Sequence, residues 1–115
     1  MINVFRASDE TCESKQKFNS TGSRTYRAAA GTWAIQYRRG FAAGLYGRDN
    51  VRFAPIGYYQ LEIENIWFGR ATMVSDAFKG LEMDGILGLG FWSTATGRIM
   101  PPMGNAWRQH LLDEP

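Results

Sequence analysis

The feature that most constrains this chain is a period-two pattern on either side of a single break. Trp33, Ile35 and Tyr37 alternate with Thr32, Ala34 and Gln36. Arg38-Arg39-Gly40 interrupts, and Phe41, Ala43 and Leu45 resume the alternation. Successive side chains of a strand point to opposite faces, so each run predicts a half-buried strand and the short glycine-containing break predicts a β-hairpin. The same reading continues downstream. Val51 and Phe53 start another strand, which Pro55-Ile56-Gly57 ends; Tyr59, Leu61 and Ile63 alternate again; Ile66, Trp67, Phe68 and Met73 mark a further strand over residues 65–74. Asp84-Gly85-Ile86-Leu87-Gly88-Leu89-Gly90 is a short apolar strand hedged by glycines, where another backbone can approach closely. The period changes only after Pro101-Pro102. There Met103, Ala106, Trp107, His110 and Leu111 recur at helical steps behind a proline first turn.

Residues 1–17 are polar and charged without a period, and residues 1–11 are set apart as an irregular N-terminal segment before one domain over residues 12–115. The chain of 115 residues suffices for one modest core. Its formal charge of +2 is too small and too scattered to argue for nucleic acid or an anionic membrane. The longest apolar run, residues 85–92, is too short to span a bilayer. The opening MINVFRASDE lacks the basic and apolar regions of a signal peptide, so no export signal is expected in the chain as written. Cys12 is the only cysteine and His110 the only histidine. Cys12 is either an inconsequential thiol or half of a disulfide whose partner lies outside the chain. The pair makes a weak case for a Cys/His nucleophile, and no metal site or cofactor is expected.

One stretch raises a sharper question. Phe18-Asn19-Ser20-Thr21-Gly22-Ser23-Arg24-Thr25-Tyr26 contains S-T-G-S, one residue from the D-T-G-S of an aspartic protease active site. Around it the chain resembles the N-terminal lobe of pepsin-like aspartic proteases, most of all the nematode-type members. Cys12, Phe18-Asn19 and Ser23-Arg24-Thr25-Tyr26 are similar to that family's C…F-[ND]-x-x-x-S-x-T-[YF]. Trp33-Ala34-Ile35-Gln36-Tyr37 is similar to the strand entering the flap, Gly44-Leu45-Tyr46-Gly47-Arg48-Asp49-Asn50-Val51 to G-x-[LF]-G-x-D-T-V, and the Asp84–Gly90 run with the helix and LLDEP to the end of the lobe.

The resemblance implies a mainly β fold: an incomplete N-terminal lobe of the pepsin-like acid protease fold, with a flap hairpin and one short C-terminal helix. By the same resemblance S-T-G-S is a variable loop and the true D-T-G belongs upstream of Met1; no D-T-G or D-S-G occurs in the chain. The partner of Cys12 would also lie upstream. Asp84 would be structural, and Glu62 and Glu64 read as a solvent-facing pair. Tyr37 would cap the substrate from the flap, and Phe78, Met83 and Ile86 would line an apolar pocket, although plain core packing also accounts for those three. The usual flap tip Y-G-[ST]-G is here Tyr37-Arg38-Arg39-Gly40. Glycine at a tight hairpin tip allows positive φ without steric cost, and arginine does not. The two cations of this tip suit acidic substrates or mark relaxed constraint in a non-proteolytic copy.

The implied parent activity is acid-active endopeptidase cleavage of peptide or protein substrates, in a secreted or lysosomal enzyme. This chain alone is predicted to be inactive and to need the missing remainder of the two-lobed protease. The alternatives are an inactive homologue that binds peptides or a protease through its residual cleft, and a generic β-domain. Asn19-Ser20-Thr21 forms an N-x-[ST] sequon on the exposed loop.

Overall fold

The computed structural model describes residues 2–5, 10–55, 57 and 59–113. Its frame is a five-stranded sheet of β1 (Ile2–Phe5), β2 (Arg27–Gln36), β3 (Phe41–Phe53), β4 (Leu61–Val74) and β5 (Gly85–Leu87), in the order β2-β3-β4-β1-β5. The single α-helix among the described residues, α1 (Pro102–Arg108), follows β5. The chain is therefore mainly β with one short helix, as the motifs implied.

The hairpin lies where the alternation places it, with Gln36 paired to Phe41 and Ile35 to Ala42. Downstream the expected boundaries are corrected. Val51 and Phe53 do not begin a strand but end the 13-residue β3, and the two strands expected over residues 59–74 are one 14-residue strand, β4. The physical reason is a pair of register shifts. The buried side chains of β4 run Ile63, Ile66, Phe68, Ala71 and Val74, changing parity between Ile63 and Ile66, between Phe68 and Ala71 and between Ala71 and Val74. The first and last of these coincide with shifts against β3, between Asp49 and Val51 and between Ala43 and Gly44. Asn65, at φ 54°, takes a left-handed turn of backbone at the first of them. A bulge moves the apolar set by one residue without ending the strand, so a strict period-two reading breaks where the strand continues.

The N-terminal segment is also corrected. Ile2–Phe5 is not irregular but lies between β4, which it pairs in parallel, and β5, which it meets antiparallel. Four residues are too few for a period to show; the flanking backbones make the strand. β5 is shorter than the Asp84–Gly90 run and, among the described residues, has β1 on one side only, at the edge of the sheet.

Among the described residues, two apolar clusters hold the sheet. Cys12, Trp33, Ala42, Ala71, Val74 and Phe78 form one. The Trp33 indole lies on Gly69, where a Cβ would come within 2.5 Å of the ring, and donates its N–H to the Leu45 carbonyl at 3.1 Å. Ile63, Ile66 and Ala106 form the other, seating α1 on β4. The Gln109 side chain reinforces that seat by bonding both the N–H and the carbonyl of Glu64, at 3.0 and 2.8 Å. The helix is shorter than its apolar steps suggested. It stops at Arg108, and His110 turns left-handed at φ 58°.

Candidate functional site

The turn between β2 and β3 is a projecting hairpin tip. Tyr37 N–H donates to the Gly40 carbonyl at 2.7 Å, and the Gln36 side-chain amide donates to the carbonyls of Tyr37 and Gly40 at 3.1 and 3.3 Å. With the turn closed this way, Arg38, Arg39 and Gly40 all keep negative φ. The arginines at the tip therefore need none of the left-handed backbone that glycine permits. Both arginines are exposed and form neither a hydrogen bond nor an ion pair with any described residue.

Gly40 is required by its neighbours rather than by its φ. A Cβ there would strike Ser75 Oγ and lie 3.1 Å from Ala77 Cβ. Ser75 clamps the base of the hairpin in both directions: its N–H donates to the Phe41 carbonyl and its Oγ accepts from Phe41 N–H, each at 3.0 Å. A 3-10 turn, Asp76–Phe78, then presents Phe78 to Tyr37. The two rings meet edge to face, 5.9 Å apart at 86°, a favourable arrangement for aromatic pairs.

Of the residues assigned to substrate by resemblance, the structure brings Tyr37, Phe78 and Met83 together in the first apolar cluster. Phe78 is buried in that cluster and Tyr37 is half-buried over it. Ile86 stands apart on β5, opposite Asn3 of β1. Arg38 and Arg39 occupy the tip itself.

Two of the carboxylates considered above have local partners. Asp84 accepts the Gln16 backbone N–H at 2.9 Å. Glu62 pairs with Arg52 at 3.1 Å, and Glu64 and His110 are exposed. Ser20–Gly22, the heart of S-T-G-S, is a surface 3-10 turn outside the sheet. Among the described residues, no group of three or more His, Cys, Asp or Glu side chains could hold a metal ion, and no helix is long and apolar enough to cross a membrane.

Two supports were not anticipated. Lys15 is buried and donates to the carbonyls of Leu81 and Met83, both at 2.7 Å, which fixes the loop leading to β5. Asp49 is buried in β3 beneath the hydroxyls of Ser23 and Thr25. Burial works against its charge. Donation from Ser23, Thr25 and the Asn50 N–H, together with the Arg52 charge, outweighs that and holds the carboxyl below its ordinary range. The motifs containing both ends of this contact were visible in sequence, but not that they touch.

Comparison with known proteins agrees with this geometry. A family model described as eukaryotic aspartyl protease matches residues 3–115. Aspartic protease 6 of Caenorhabditis elegans is 45% identical over 104 residues, covering 90% of this chain and 27% of the relative. Aspartic protease 2 of Necator americanus is 41% identical, covering 90% and 24%. Cathepsin E of Rattus norvegicus is 32% identical, covering 90% and 25%. The chain thus spans about a quarter of the length of these curated relatives.

Proposed function

Because this chain belongs to the eukaryotic aspartyl protease family, we propose that it is the flap-bearing part of an aspartic endopeptidase. The observation that carries this reading is the Tyr37–Gly40 tip held on Ser75 and Phe78. Proteolysis of this kind needs two carboxylates close enough to share a proton, as in pepsin. The charged one acts as base on water while its neighbour donates to the carbonyl. This chain has no D-T-G or D-S-G, and Asp49, Asp84 and Glu62 already serve local contacts. Both observations support a reading in which the dyad comes from sequence outside these residues and this part closes over an extended peptide and excludes water.

The remainder of the protease is also the proposed partner. The outer edge of β5 has no neighbour among the described residues, and beside it Leu89 and Phe91 are 68% and 84% exposed. A groove of about 420 Å³ runs between that loop and α1, lined by Phe91, Trp92, Met103, Trp107 and Leu112. An open strand edge next to apolar surface suits further sheet and core. Vacuolar protease A of Aspergillus fumigatus, 34% identical over 105 residues, carries its compartment in its name. We extend that to this chain as a secreted or lysosomal destination.

A second reading is favoured by the arginine tip. Two cations without a partner among the described residues replace the small flap residues, which suits an inactive homologue that captures acidic peptides. One experiment separates the two. Residues 12–113 replace the matching segment of Aspartic protease 6 of C. elegans, which supplies both carboxylates. Peptide hydrolysis in acid by this chimera is the expected result. A chimera that melts cooperatively and binds peptides without cleaving them would select the second reading and overturn the first.

A further inference from the structure

We propose that Asn19 is an N-glycosylation site whose glycan projects from the end of the lobe remote from the flap. The proposal rests on the exported or lysosomal destination inferred above, not on proteolysis. Asn19-Ser20-Thr21 satisfies the sequon, with serine rather than proline in the middle. The triplet alone arises often by chance; the structure adds three observations.

The first is access. Asn19 is exposed and caps a surface 3-10 turn outside the sheet. Bulky glycans require such a surface position.

The second is that the folded loop leaves room for a glycan already attached. Asn19 Oδ1 accepts both the Thr21 N–H at 3.1 Å and the Thr21 hydroxyl at 2.7 Å. The backbone N–H can only donate, so the atom facing it is the oxygen, and Nδ2 is the atom turned away. Nδ2 has no hydrogen-bond partner among the described residues. A Cβ added at Gly22 would lie 3.4 Å from it. The missing side chain leaves that face uncovered.

The third is location. The loop is pinned by Ser23 to Asp49, eight positions along β3 from Phe41 at the flap base. At about 3.3 Å per strand residue that is roughly 26 Å. A glycan on Asn19 therefore leaves the hairpin free to move over a peptide.

The chemistry balances with one co-reactant, an oligosaccharide carried on a lipid diphosphate. Nδ2 bonds to the anomeric carbon and loses a proton. The anomeric C–O bond breaks, and the lipid diphosphate leaves with the electron pair.

The test uses the full-length product captured from its source. Trypsin cutting after Lys17 and Arg24 isolates Phe18–Arg24 with Asn19 inside. The expected result is that this peptide is absent from the untreated digest and appears after peptide N-glycosidase in heavy-oxygen water, with Asn19 converted to labelled aspartate. In a secretory host, Thr21→Ala abolishes the label and Thr21→Ser retains it. The attachment is made on the nascent chain, so this readout does not require either variant to fold. An unmodified peptide as the major form in the native product overturns the proposal, whether or not that product cleaves peptides. A labelled peptide from a product without protease activity leaves it standing and counts against the endopeptidase reading alone.

Discussion

Ser23 Oγ donates to Asp49 Oδ2 across 2.6 Å, tying the loop after Asn19 to the body of β3. Thr25 donates to the other carboxylate oxygen, and the Asn50 N–H adds a bond at 2.7 Å. A carboxyl that is more acidic folded than unfolded contributes stability that is complete above its unfolded pKa of about 3.9. That contribution is lost as pH falls through the lower folded value. Asp49→Asn in the chimera is expected to cost about 2 kcal/mol at neutral pH, and less as the acid falls below about pH 4. Urea unfolding across that range measures it. A cost independent of pH would mean the charge is not what the hydroxyls hold.

The hairpin base rests on one side chain. Ser75→Ala removes the acceptor for Phe41 N–H while leaving the Ser75 N–H bond to the Phe41 carbonyl. The expected loss is about 1 kcal/mol, felt locally as faster amide hydrogen exchange at Phe41 and Tyr37 than elsewhere in β3. Uniform acceleration along β3 would show that Ser75 supports the sheet and not the flap.

How far the fold is legible from sequence depends on how local its causes are. The Gln36–Phe41 pairing is written in a period of two across a short break, so the hairpin is readable. β4 is not, because its bulges move the buried set from Ile63 to Ile66 and again from Ala71 to Val74. β1 owes its conformation to neighbours more than sixty residues away. Tyr37 could be placed at the hairpin turn from the alternation, whereas its ring contact with Phe78 could not. Lys15 reads as a surface charge, since nothing nearby in sequence announces the carbonyls of Leu81 and Met83 that receive it.

Arg38 and Arg39 should select substrate by charge. Each is exposed and unpaired among the described residues, so a peptide carboxylate closing under the tip gains about 1 kcal/mol per arginine at most. Arg38→Ser with Arg39→Gly in the chimera is expected to lower kcat/KM for acidic peptides by about 5- to 25-fold relative to neutral ones. The preference should also weaken as salt is raised. An unchanged ratio between the two peptide sets would remove the arginines from specificity.

The buried ammonium of Lys15 sets two effects against each other. Taking a charge out of water is costly, and an apolar residue of similar length would avoid that cost. Against this, Lys15 Nζ supplies hydrogen bonds at 2.7 Å to both the Leu81 and Met83 carbonyls. Lys15→Met keeps the stem and its packing but leaves those carbonyls without this donor. Each lost charge-assisted bond costs about 1.5–3 kcal/mol, and two of them exceed the relief from desolvation. The variant should therefore be destabilised by about 2–3 kcal/mol. The loss should concentrate at residues 81–84, freeing Asp84 from the Gln16 N–H. Thermal unfolding of the chimera, with hydrogen exchange at Gln16, reads both. A neutral or stabilising Lys15→Met would mean that desolvation dominates, and that the loop into β5 is held by packing alone.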